Sequence, residues 1–131
     1  MKQLTVITES RKGLVAELTE TLAADDINIK GLDAKSFDNN AVIILIVDKY
    51  DLALQALNKI SGVQVISEDA ILIRLKDEPG AVAKIARRFT DSDIDLRSIR
   101  ILQRDGDYGL VAISCERTED ALTLVEDVLV S

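Results

Sequence analysis

Histidine and tryptophan are absent from the 131-residue chain, and proline, cysteine and methionine each occur once. Without histidine, general acid–base chemistry near neutral pH loses its usual side chain. The single cysteine, Cys115, excludes an internal disulfide framework and fits a reducing compartment. It ends an apolar run with no activating base beside it in sequence, which reads as a small buried hydrophobe rather than a nucleophile. No glycine-rich phosphate loop or cluster of metal-ligand residues occurs, so neither an enzyme nor a cofactor is expected. Aromatic residues make up 3% of the chain, and the core must therefore be built from Val, Ile, Leu and Ala. No apolar run approaches the ~18 residues that suggest a membrane span, and Met1-Lys2-Gln3-Leu4 does not begin a secretory signal. A cytoplasmic location without membrane contact is expected.

Net charge is −7, shared almost evenly between the two halves, so phosphate backbones and anionic membranes are repelled. A basic stripe with interleaved aromatics is missing, which argues against nucleic acid as a partner. A small zwitterionic or anionic ligand remains compatible, because a few local donors outweigh a modest global field.

What the chain does contain is a repeat. Glu9-Ser10-Arg11-Lys12-Gly13 and Lys76-Asp77-Glu78-Pro79-Gly80 each join a strand-like run to a helix-like run, and their glycines lie 67 residues apart. At that offset, without a gap, Val15 falls on Val82, Ala16 on Ala83, Asp26 on Asp93 and Ile27 on Ile94. One module is written twice, as residues 1–68 and 69–131. Each unit is small enough to be marginal alone.

Read in order, the first copy gives a strand (Leu4 to Thr8), a helix (Gly13 to Ala24), an extended segment interrupted at Gly31 (Ile27 to Phe37) and a turn at Asp38-Asn39-Asn40. Ala41 to Val47 follows as the most buried strand expected. Asp48 is placed like an N-cap for a helix carrying Ala53, Ala56, Leu57 and Ile60, and Val63 to Ile66 returns as a strand. The second copy gives strand Ala70 to Leu75, helix Ala81 to Thr90, strand Ile94 to Gln103, a turn at Asp105-Gly106-Asp107, strand Tyr108 to Cys115 and helix Thr118 to Leu129. Its last strand is missing or reduced to Leu129-Val130-Ser131, leaving a sheet edge open or completed by another element or chain. The fold class is α+β: two ferredoxin-like βαββαβ units, each an antiparallel sheet with its helices on one face. Neither Ala41 to Val47 nor Leu110 to Ile113 alternates with polar residues, so both faces of these strands are expected to be covered.

Asp77 to Ile85, Asp-Glu-Pro-Gly-Ala-Val-Ala-Lys-Ile, followed by Asp93-Ile94-Asp95-Leu96, resembles the signature of ACT domains, the amino-acid-sensing regulatory modules attached to enzymes such as aspartate kinase and phosphoglycerate dehydrogenase. The first copy departs at the turn, with Ser10-Arg11-Lys12-Gly13, but keeps the usual Ile27-Asn28-Ile29. The resemblance spans nearly the whole chain and implies a free-standing tandem ACT protein. It implies a small amino acid as ligand, a homodimer, and a regulated enzyme or regulator protein as partner. It also implies that Asn28 and Asp95, opening the second strand of each unit, contact ligand across an interface between ACT units, pairing the Gly80 loop with Asn28 or Gly13 with Asp95.

The residues supply a chemistry for such a site. A helix that begins at glycine exposes its first N–H groups, around Gly13 and Leu14 or Gly80 and Ala81, to a ligand carboxylate. Pro79 sets φ at the helix start without removing a useful donor. Ser10 and Asp77, three residues before their glycines, either accept from a ligand ammonium or cap the helix. Asn28 both donates and accepts, whereas ionised Asp95 only accepts, so the two sites are not equivalent.

Asp91-Ser92-Asp93-Ile94-Asp95 imitates the start of a calcium loop, but Leu96 and Leu102 stand where glycine and the bidentate glutamate are needed. Arg97, Arg100 and Arg104 read as solvated, salt-bridged surface rather than an anion site, and Asp25-Asp26 as a solvated helix stop. The alternative to a sensor is a degenerate ACT pair that serves as an interaction module without ligand, recruiting partners at a sheet edge.

Overall fold

Leu14, Leu18 and Leu22, spaced by four, place one apolar stripe along a helix, and Ile85 with Phe89 does the same in the repeat. The computed structural model describes residues 1–130, the side chain of Asp105 aside, and turns these patterns into two compact units, Lys2–Glu68 and Asp69 onward with Met1.

The first unit runs β1 (Lys2–Glu9), α1 (Leu14–Ala24), β2 (Ile29–Phe37), β3 (Asn40–Val47), α2 (Tyr50–Asn58) and β4 (Gln64–Asp69, of which Asp69 groups with the second unit). Its sheet has the order β2-β3-β1-β4, with β3 antiparallel to both neighbours. Leu4 and Val6 of β1, and Ala41, Ile43 and Leu45 of β3, share one buried cluster with Leu14, Leu18 and Leu22 of α1 and Ala53 and Leu57 of α2. Both helices therefore cover the same face.

The second unit runs β5 (Ile71–Lys76), α3 (Ala81–Asp91), β6 (Leu96–Asp105), β7 (Tyr108–Cys115) and α4 (Thr118–Leu124), with the sheet order β5-β7-β6. Ile71, Ile73 and Leu75 meet Ile85, Phe89, Val111, Ile113, Cys115, Ala121 and Val125 in the second core. Burial of Cys115 pushes its thiol pKa above the ordinary value, against the smaller opposing effects of a backbone hydrogen bond and the Arg97 and Arg117 charges. It is a core residue whose burial disfavours the reactive thiolate.

Both long helices end in the same way. The Ile27 amide donates to Leu22 O (3.1 Å) and the Asp26 amide to Ala23 O (3.0 Å), while Ile94 and Asp93 repeat this on Phe89 and Thr90. These are Schellman closures, with Asp26 (φ 58) and Asp93 (φ 56) in the left-handed position usually held by glycine. Ile27 and Ile94 turn into the cores. Asp26 is more than a solvated stop, since Lys49 Nζ donates to its carbonyl at 2.7 Å and its carboxylate at 3.2 Å.

Several sequence readings change. Asp48 does not cap α2: its Oδ1 accepts from the Asn28 amide at 2.9 Å and its own amide donates to Asn28 O at 3.1 Å, so the carboxylate is spent closing the start of β2, and Lys49 is the cap residue. The last helix stops at Leu124 and gives way to a 3₁₀ turn, Glu126–Val128. Arg88 draws the chain inward there, donating to Asp127 Oδ1 (2.6 Å) and Oδ2 (2.9 Å) and to Leu124 O (3.3 Å). The reduced last strand is a single bridge between Leu129 and Ile73, extended by the Val130 amide on Leu72 O (2.7 Å); Ser131 lies outside the described residues. β7, not β3, is the more buried central strand. Away from the helices, Ile46, Ala112 and Ser114 are buried, and Val42, Ile44 and Leu110 are half-buried.

The copies are not gapless throughout. Ala34 pairs with Ile43 as Ile101 pairs with Val111, but Ser36 pairs with Ala41 as Arg104 pairs with Gly109. One extra residue, Leu102, is absorbed in a bulge between Ile101 and Gln103. Beyond it the offset becomes 68.

Candidate functional site

In each unit the first strand runs into a helix through a glycine held at positive φ, 82° at Gly13 and 88° at Gly80. An L side chain is disfavoured at such a φ although open space surrounds both positions. Each glycine is the N-cap of its helix, without a side-chain cap. Both long helices therefore begin with bare backbone.

Neither Ser10 nor Asp77 caps. The Ser10 hydroxyl lies 2.8 Å from that of Ser36 at the end of β2, and the Ser10 amide donates to Asn39 O. Asp77 takes the same place in the repeat: its carboxylate pairs with Arg104 of β6 at 3.3 Å, and its amide donates to Asp107 O at 2.6 Å. Each loop is thus fastened to the neighbouring hairpin rather than to its own helix. The residue pair at that junction is hydroxyl–hydroxyl in one unit and carboxylate–guanidinium in the other.

Between the helix start and the outer strand lies a groove. In the first unit it has a volume of about 350 Å³ and is lined by Arg11, Gly13 to Ala16, Ala34 to Ser36, Ala41 and Ile43. Leu14, Ala41 and Ile43 form its buried apolar side. The amides of Val15 and Ala16 belong to the first turn of α1 and have no intrahelical acceptor. Arg11 is tied to Glu17 at 2.7 Å. The corresponding groove of the second unit is about 120 Å³ and is lined among others by Asp77, Ala81, Val82, Ile101, Arg104 and Val111.

Ser10, Gly13 and Leu14 thus come together in one unit, and Asp77, Gly80 and Ala81 in the other. Asn28 and Asp95 do not join them. Asn28, exposed, precedes β2 at the end away from Ser36, about 26 Å along an extended chain. Asp95 is exposed at the start of β6. Sequence reasoning missed Ser36, Ala34, Ile101 and the role of Arg104 in this site. The signal for Ser36 and Arg104 was hidden by the Leu102 insertion, which shifts the repeat by one just before them. Among the described residues no group of three or more His, Cys, Asp or Glu side chains could hold a metal ion, and no helix is long and apolar enough to cross a membrane.

No family model matches the sequence, and no curated protein matches it. Solved structures do. A protein of Bacteroides thetaiotaomicron superposes with a TM-score of 0.82 at 23% identity over 98% of this chain and 90% of its own. The regulatory subunit of aspartate kinase from Thermus thermophilus, in its ligand-free form, gives 0.67 at 20% identity, covering 97% and 91%. That from Thermus flavus gives 0.65 at 19%, covering 96% and 90%. These likenesses concern the fold, and they reach from one end of the duplication to the other. With its strand–Gly–helix turns and its βαββα order written twice, the chain has an ACT-type fold.

Proposed function

We propose that the chain is a non-catalytic sensor that binds a small amino acid at the glycine-initiated helices, where ACT units meet, and passes occupancy to a partner enzyme or regulator. The groove over the first turn of α1 carries this reading. It offers two first-turn amides for a carboxylate, the Ser36 hydroxyl, itself paired with that of Ser10, for an ammonium, and an apolar floor. Its volume falls at the lower end of the ~300–1,000 Å³ typical of small-molecule sites. A fold shared with regulatory subunits of aspartate kinase supports a regulatory role.

The outer strands suit assembly. Leu32 and Phe37 of β2 are 45% and 51% exposed, and Ile101 of β6 is 49% exposed. A second unit added at such an edge would cover them and close the groove, giving the homodimer and bringing an Asn28 or Asp95 to a glycine loop. Sensing then requires that the ligand bind one arrangement of the chains more tightly than another. The same exposed edges favour the second reading, an interaction module that adds a partner strand without ligand.

A thermal-unfolding screen against the twenty amino acids at millimolar concentration separates the two. A ligand at about 100 times its dissociation constant stabilises by about 2.7 kcal/mol, a shift of several degrees for a chain of this size. One saturable shift, lost in Gly13→Leu, supports the sensor. No shift with any amino acid leaves the interaction module.

A further inference from the structure

The duplication lets the two grooves be compared position by position, and three differences point the same way. Ser10 and Ser36 in the first correspond to Asp77 and Arg104 in the second, across the one-residue shift at Leu102. Ala34 on the floor corresponds to Ile101, and the volume falls from about 350 Å³ to about 120 Å³. Resting on the sensor reading above, we propose that the first groove is the single amino-acid site of the chain, that it takes a zwitterion with a short aliphatic side chain, and that the second groove is closed to it.

In the first groove the Ser36 hydroxyl, paired with that of Ser10, either donates or accepts, so it serves whichever charged end of the ligand faces it. In the second, carboxylate and guanidinium satisfy each other, and a ligand uses either only by breaking the pair. That pair is exposed and by itself a weak barrier. Ile101 adds the steric part: it occupies volume that Ala34 leaves empty. The choice of side chain follows from the first groove's surroundings. Leu14, Ala41 and Ile43 are apolar and buried, and the Arg11 guanidinium is held by Glu17. The other charged residue of the lining, Lys35, is exposed on the outer strand, so its pairing with an acidic ligand side chain would be weak, and a basic ligand side chain finds no acidic partner in the lining.

Isothermal titration of the full chain with L-alanine, L-valine, L-aspartate and L-lysine tests this. The expected result is one equivalent of alanine or valine per chain, weakened at least tenfold in Ala34→Ile. The triple variant Asp77→Ser, Arg104→Ser, Ile101→Ala, monitored by circular dichroism for folding, should raise the stoichiometry to two. Two equivalents in the unaltered chain, binding that survives Ala34→Ile, or a preference for aspartate or lysine overturns the assignment and leaves the sensor standing. Absence of a saturable shift with any of the twenty amino acids in the thermal screen overturns both.

Discussion

The Ser10 hydroxyl stands 2.8 Å from that of Ser36, fastening the loop before α1 to the end of β2, in the place where Asp77 and Arg104 meet at 3.3 Å in the repeat. The repeat thus keeps a contact while exchanging its chemistry. Because the Asp77–Arg104 pair is exposed, Arg104→Ala should cost no more than ~1 kcal/mol. Urea unfolding at low and high salt checks this, the difference between variant and parent shrinking as salt is added.

Gly13 and Gly80 hold φ values of 82° and 88° with open space around a Cβ. Gly13→Ala and Gly80→Ala should therefore destabilise through backbone strain alone, by about 1–2 kcal/mol each. Denaturant midpoints measure it, with an unchanged slope expected because the surface exposed on unfolding is the same.

Phe89 fills the second core and is 1% exposed. Phe89→Ala should cost about 3–5 kcal/mol, and Leu18→Ala in the first core about 2–5 kcal/mol. A value near zero for either, by urea denaturation, would contradict the packing described.

Arg88 and Asp127 hold the 3₁₀ turn against α3. The Arg88 hydrogen bond, with its charge, lowers the Asp127 pKa against a smaller desolvation effect, and the same bond raises that of Arg88. A carboxyl with a depressed folded-state pKa contributes stability above its unfolded pKa and loses it as pH falls through the folded one. Hydrogen exchange at Val128 and Val130 should accordingly be slower, after correction for intrinsic rates, at pH 6 than below pH 4. Asp127→Asn should abolish that dependence.

The cysteine gives a further check. Burial raises the Cys115 thiol pKa, so its reaction with a thiol reagent at neutral pH should be slow in the native protein and rapid once denaturant is added.

Much of this fold was legible because period and punctuation agree. Leu14, Leu18 and Leu22 mark a helix, the Gly turns mark the start of each long helix, and Asp38-Asn39-Asn40 and Asp105-Gly106-Asp107 mark the hairpins. What escaped depended on contacts distant in sequence. Asp48 has the residue type and position of a cap, but the β2 backbone at Asn28 claims its carboxylate. The helical pattern from Thr118 continues past Leu124, yet Arg88 binds Asp127 and the Leu124 carbonyl and the chain tightens into a 3₁₀ turn. Of the site, the glycines and the serine and aspartate before them were readable as loop chemistry. Ser36 and Arg104 were not, since only strand pairing brings the end of an outer strand beside those loops.

The most direct measurement is an amide nuclear magnetic resonance titration of the full chain with the amino acid that stabilises it in the thermal screen. Binding at the α1 groove predicts the largest saturable shifts at the Val15 and Ala16 amides, with smaller ones at Ser10 and Ser36. Shifts that leave Val15 and Ala16 unmoved while the ligand saturates elsewhere would contradict the account.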